Sequence, residues 1–424
     1  MMNKVIVKAY ILLLVVGLIL GMTSTVAAQV QPTTFGMHMH GGILSRQPYP
    51  SVSFGSQRLW NAGTGWAQIN TSPGIYKWGV LDQWMELAAA HNVKLLYTFG
   101  RTPKWASSAP NNTNCSYEAG SCAPPEDLNR DGTGTNQHWK DFVGAIATHT
   151  AGRIKYWEIW NEPSNAWEWT GTQAQIVRMA KDARQIILSI DPNAQIVSPS
   201  IGISTTLYQN WMEAFLNAGG GQYVDIIAFH GYIHHPPNEP VAEDFIPKFK
   251  QFKMMVANHG QSGKPLWDTE GSWGKTAKTG FTNPDKQAGF TARFWLLNVS
   301  SGVSRFFWYE WNNNESGTLW KPDPNNPSAP GTLLKPGIAY RTMRSWMINN
   351  KLTSKCAAGS DSIWRCEFTR PNATEIMPVW YPGGSKTFIA AAKFSKYQDV
   401  YGNIYNIPSN GSVTAGYKPI LLMP

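Results

Sequence analysis

Two short stretches, KLLYTFG at 94–100 and DIIAFHG at 225–231, are apolar almost without interruption. A strand with one wet face alternates apolar and polar residues. A continuous run of strand length needs cover on both faces, as in a parallel sheet flanked by helices. Strand-length segments are expected at 35–40, 58–61, 94–99, 155–160, 195–199, 225–230, 265–269 and 305–309. Between them apolar residues fall at helical spacing: Leu81, Trp84, Met85 and Ala88; Trp139, Phe142, Val143 and Ile146; Phe245, Phe249, Phe252 and Val256; Phe290, Phe294 and Leu297. Eight such alternations over about 310 residues predict an α/β fold, a (β/α)8 TIM barrel. An open doubly wound sheet competes, but no Gly-rich phosphate loop follows the first strand.

After a helix-like stretch at 337–350 the texture changes to short runs, SIWRCEF, IMPVWYP, KTFIAAAKF and YKPILLMP, separated by Gly, Asn, Pro and Ser. This predicts a small sandwich-like β domain at 351–424 packed against a barrel at 29–350. The first 28 residues have the layout of a secretory signal peptide. Lys4 and Lys8 precede an apolar run, and Val26-Ala27-Ala28 supplies the small residues before a cut at Gln29. The run is short for a membrane span, so no stable insertion is expected. Removing Lys4 and Lys8 from the 36 Lys and Arg leaves 34 against 27 Asp and Glu, a net charge of +7 in place of +9. The basic residues are scattered, which gives no nucleic-acid footprint. Four cysteines lie in two close pairs. They permit three connectivities, and in an oxidising compartment the simplest is Cys115–Cys122 with Cys356–Cys366. Neither pair has the spacing of a zinc site. The expectation is a secreted monomer.

In such a barrel, chemistry sits where strands end. Glu162 and Glu270 end the fourth and seventh strands, and opposing strands of a closed barrel aim such a pair into one cleft. Two carboxyl groups flanking a glycosidic bond are what acetal hydrolysis needs: one donates a proton to the departing oxygen, the other attacks the anomeric carbon or activates water. Arg58 would hold the nucleophile ionised, Tyr232 would donate to the same group, and Asn161 would bond a sugar hydroxyl. Trp60, Trp105, Trp167, Trp169, Trp273 and Trp308 suit the apolar faces of sugar rings. Glu158, Asp268 and Glu310 are rival acids. Glu158 lies an even number of residues from Glu162, so it is placed toward the barrel interior, where it needs a partner.

WEIWNEP followed by LWDTEG, with RLWN, YTFGRTPKWAS, FHGY and FFWYEW at other strand ends, resembles the clan A retaining glycoside hydrolases. The resemblance is strongest to family 39, which includes β-xylosidases, iduronidases and exopolysaccharide-cleaving endoglycosidases, and it covers about residues 35–346. It implies Glu162 as acid/base, Glu270 as nucleophile and Asn161 at the sugar 2-hydroxyl. Arg58 would lie beneath the nucleophile, His230 and Tyr232 would form the strand-six pair, and Trp308 would be the subsite floor. Trp105, Trp273 and His40 are further candidate sugar contacts. The partner is an oligo- or polysaccharide, with no cofactor or metal implied, and cleavage within the sugar chain is the expectation. The loops at 37–43 and 111–131 match no subfamily, so the sugar stays open.

Two other readings remain. His38 and His40 form a His-x-His at the end of the first strand, a metal-ligand arrangement in some (β/α)8 hydrolases, with His230, His234 and His235 as further ligands. The third reading is a carbohydrate-binding protein that keeps the scaffold without catalysis.

Overall fold

The computed structural model describes residues 29–233 and 237–424. The expected leader at 1–28 and the histidines at 234 and 235 lie outside the described residues.

Eight strands form one parallel sheet: β1 (Phe35–His38), β2 (Ser56–Leu59), β3 (Lys94–Thr98), β4 (Tyr156–Glu158), β5 (Gln195–Val197), β6 (Ile227–His230), β7 (Leu266–Gly271) and β8 (Arg305–Trp308). Their order is β5-β4-β3-β2-β1-β8-β7-β6, and a parallel bridge from Val197 to Ile226 brings the two edges together as a nearly closed barrel. Helices α1 (Gly79–Ala90), α2 (Gln137–Thr150), α3 (Gln173–Ile190), α4 (Thr206–Asn217), α5 (Phe245–Asn258), α6 (Pro284–Ser301) and α7 (Lys335–Met347) follow β2 to β8 in turn. After β1 the chain makes one helical turn, Gly42–Ser45, in place of a full helix. The start of α3 is fixed locally, because Thr172 and Gln175 bond each other's backbone N–H as a capping box.

The continuous apolar runs have the expected cause. Leu96, Val197, Ala228, Trp267 and Phe307 fill the barrel interior. Their neighbours Leu95, Tyr97, Ile196, Ile227, Phe229, Phe306 and Trp308 join the core beneath the helices. Arg305 lies inside over the rings of Tyr156 and Trp267, 4.4 and 4.0 Å from their centroids.

Beyond α7 come eight antiparallel strands: β9 (Lys351–Ala358), β10 (Trp364–Thr369), β11 (Glu375–Trp380), β12 (Ser385–Ile389), β13 (Lys396–Asp399), β14 (Ile404–Asn406), β15 (Ser412–Gly416) and β16 (Ile420–Met423). Six form a sheet in the order β9-β10-β11-β16-β13-β14, and β12 pairs with β15. Alternation along the strands gives the six-stranded sheet two dry faces. Phe368, Ile376, Trp380 and Leu421 join the core of the barrel, whereas Val379, Ile420 and Leu422 pack with Val413 and Ala415 of β15. Both expected disulfides, Cys115–Cys122 and Cys356–Cys366, are formed. No helix among the described residues is long and apolar enough to cross a membrane. Asn298, in an Asn-Val-Ser sequon, is buried in α6 and donates to the carbonyl of Phe294, which closes that position to a glycan.

Candidate active site

The site is built around Arg58, which is fully buried at the end of β2. Its Nε donates to Glu158 at 2.7 Å, Nη1 to Glu270 at 2.9 Å and Nη2 to Asn161 at 2.8 Å. One planar fork therefore joins groups from β2, β4 and β7. Glu158 does face the interior, and it takes a second hydrogen bond from Thr98 at 2.7 Å. The unpaired buried carboxylate that the sequence raised as a concern does not arise.

Glu162 lies four residues past the end of β4 and adopts a left-handed backbone, φ 43°, which is uncommon for a residue with a side chain. One carboxylate oxygen bonds His230 Nδ1 at 2.8 Å, and the other accepts from Asn165 Nδ2 at 2.9 Å. Asn165 was not singled out in the sequence, although its position three residues after Glu162 puts it in the same turn. Glu270 follows an irregularity in β7, where Phe229 pairs with Asp268 but His230 pairs with Glu270. The extra residue, Thr269, lets the strand turn Glu270 toward the mouth of the barrel. Glu270 accepts from Tyr232 Oη at 2.8 Å on the oxygen not held by Arg58. Rival Asp268 is buried and accepts from the N–H of Gly231 at 2.9 Å. A Cβ on Gly231 would stand 2.1 Å from that carboxylate, so only glycine fits between His230 and Tyr232.

A carboxylate oxygen of Glu162 lies within 4.8 Å of one of Glu270, and a ring nitrogen of His230 lies within the same distance of both. Burial pushes Glu270 up, and the charge of Glu162 adds to the rise, while His230, Arg58 and Tyr232 oppose it incompletely. Burial also disfavours ionised Glu162, but His230, Arg58 and Asn165 together outweigh it and hold this carboxyl low. Both carboxylates open on a cavity of about 580 Å³, lined also by Asn165, Trp167, Tyr208, Tyr232, Lys278 and Tyr309.

Several expected sugar contacts stand elsewhere. Trp308 is fully buried on the outer face of β8, packed on Trp273 and donating to the carbonyl of Gly317. Successive strand residues point to opposite sides, and Phe307 takes the interior position. The next residue, Tyr309, is the aromatic that reaches the cavity. Trp273 is buried beside a neighbouring cleft with Thr276 and Pro284. Trp105 donates to the carbonyl of Asn70 and packs edge-on to His138. Trp60 and Trp169 are buried, leaving Trp167 exposed among the six. His40 pairs with buried Glu310 at 2.6 Å, and His38 Nε2 bonds the carbonyl of Thr269 at 2.9 Å. Among the described residues the cluster with metal-ligand spacing is Glu162, His230 and Glu270, which contains neither histidine of the His-x-His.

Comparison with known proteins bears on the fold. Residues 131–333 match the family described as glycosyl hydrolase catalytic core. That segment, just under half of the chain, is matched as a glycoside hydrolase core. Among solved structures it is similar to a family 39 glycoside hydrolase from the gut symbiont Bacteroides cellulosilyticus WH2, with 17% identity, TM-score 0.68 and coverage of 93% of this chain and 81% of that one. A monomeric β-xylosidase from Caulobacter crescentus CB15 gives 14% identity and TM-score 0.63, covering 94% and 97% of the two chains. The catalytic domain of the GH30 xylanase C from Talaromyces cellulolyticus gives 15% and 0.58, covering 94% and 98%. At these identities the structural likeness speaks for the fold. No curated protein sequence matches the chain. The glycoside hydrolase core is thus similar to clan A retaining glycosidases in its fold, and a carbohydrate substrate follows from the core itself.

Proposed function

We propose that this chain is an exported retaining glycosidase that cleaves an oligo- or polysaccharide by double displacement. The supporting observation is the carboxylate pair: Glu162 and Glu270 converge to within 4.8 Å, from the ends of β4 and β7, on one cavity. A close pair suits direct attack, because an inverting enzyme must leave room for a water molecule between its carboxyl groups. Glu270 is the nucleophile. Arg58 and Tyr232 brace its two oxygens and orient it toward the anomeric carbon. Glu162 protonates the departing oxygen and then deprotonates the water that releases the glycosyl-enzyme. Proton donation requires the proton on Glu162, whose two oxygens face His230 Nδ1 at 2.8 Å and Asn165 Nδ2 at 2.9 Å. Arg58 and Asn161 hold the glycone side, and the disulfides suit export through an oxidising compartment. The barrel at 29–350 carries the chemistry, with 351–424 as an accessory domain.

The test is reducing-end release from a broad polysaccharide panel. Wild type cleaves one class, and Glu270→Gln loses about a thousandfold or more. Glu162→Ala loses polymer activity yet keeps turnover of aryl glycosides with good leaving groups, because these need no proton. Full polymer activity in either variant sinks the mechanism, and silence of wild type across the panel favours the binding-protein alternative.

A further inference from the structure

Exposed aromatic rings are scarce in this molecule. Among the described residues Tyr117, Trp167 and Tyr405 are 44%, 51% and 44% exposed. Single exposed apolar side chains are ordinary, but Tyr117 and Trp167 share a setting that isolated surface residues lack. Trp167 lines the cavity that holds Glu162 and Glu270. It lies in the segment following Glu162, which is tied back to the barrel by Asn165 N–H to the Glu162 carbonyl and by Trp160 Nε1 to the Glu168 carbonyl, both at 2.9 Å. Tyr117 lies inside the Cys115–Cys122 loop, and both ends of that loop bond the Trp167 segment. Ser116 N–H donates to the Trp167 carbonyl at 2.9 Å, and Thr170 N–H donates to the Cys122 carbonyl at 2.8 Å. The Tyr117 ring covers one side of Arg101 at 4.7 Å, and Trp60 stacks on the same guanidinium at 4.4 Å. An open indole is thus held on a braced loop, with its ordering cost met before any ligand arrives.

A general acid stands beside the leaving oxygen, so the chain segment that follows it borders the departing sugar. We propose that Trp167, with Tyr117 on the adjoining loop, is the platform for the sugar ring on the leaving-group side of the scissile bond. The Cys115–Cys122 loop positions it. The substrate class follows: the group that departs is itself a sugar ring with an apolar C–H face, part of a longer glycan. This inference rests on the glycosidase reading.

The test compares two substrates in wild type and Trp167→Ala: the glycan cleaved in the panel, and the glycosyl fluoride of the same glycone, whose leaving group has no ring. The expected result is a fall of about tenfold or more in the glycan-to-fluoride ratio of kcat/KM. The Cys115→Ser/Cys122→Ser double variant shifts the same ratio in the same direction by a smaller factor. Amide hydrogen exchange at Ser116 and Thr170 rises in it while β4 stays protected. Equal losses on both substrates, or no loss, overturn the platform. Unchanged exchange and an unchanged ratio in the double variant overturn the role of the disulfide. A wild type that cleaves nothing fails the glycosidase reading itself, and this inference falls with it; an active wild type with an indifferent Trp167→Ala fails this inference alone.

Discussion

At the scale of the residue, Arg58 and Glu310 show how burial ties stability to chemistry. Arg58 serves Glu158, Glu270 and Asn161 at once, and both it and Glu158 are fully buried. Arg58→Met leaves buried carboxylate charge with its main cation removed, so it should cost about 3–5 kcal/mol of stability as well as activity. Glu162→Gln should lose activity with little change in melting temperature; chemical denaturation of the two variants side by side separates the cases. Glu310 carries a pH signature. Burial pushes its carboxyl up to about 7, against the opposing contact with His40. Burial alone would lower His40, yet the same contact raises it. At this group the folded state therefore holds more proton than the unfolded state from about pH 4.5 to 7, and its contribution to stability falls as pH rises through that window. Glu310→Gln should lose less melting temperature between pH 5 and 7 than wild type does; equal slopes would contradict the assignment.

At the scale of the element, the sequence was most legible where period and burial agree. All eight barrel strands fall within or beside the expected segments, because strands covered on both faces are written as continuous apolar runs. That same continuity hides which side a residue faces, and this is why Trp308 and Tyr309 exchange places at the end of β8. The fold after β4 was less readable. Asn-Glu-Pro marks the strand end, but the left-handed backbone of Glu162 and its bond from Asn165 depend on the turn as a whole. Strand-end order was enough to expect Tyr232 beside Glu270, but a partner such as Thr98, which lies within β3 and donates to Glu158, leaves no local signal and emerges only when parallel strands are set in register.

At the scale of the molecule, the C-terminal sheet is joined to the barrel by core rather than by a linker. Trp380 Nε1 donates to Glu243 at 2.6 Å, Glu243 also receives Arg293 of α6, and the N–H of Cys356 donates to Ser300 at 2.7 Å. Gln29 pairs with Lys351, so the first described residue is stitched to the start of this sheet. A chain ending at residue 350 would expose the flank of α6 and the face that buries Phe368, Ile376 and Leu421. The expected outcome is an aggregating truncation, with one calorimetric transition for the whole chain; a soluble, cooperatively folding 29–350 fragment would show the two parts to be independent.

The fork of Arg58 separates two kinds of selection. A descendant that gave up catalysis would be free to replace Glu162, whose loss leaves the barrel standing, but would remain bound to Arg58 and Glu158, which are paired in its interior. Across related sequences the arginine would then mark ancestry, and the glutamate beyond the fourth strand would mark a working enzyme.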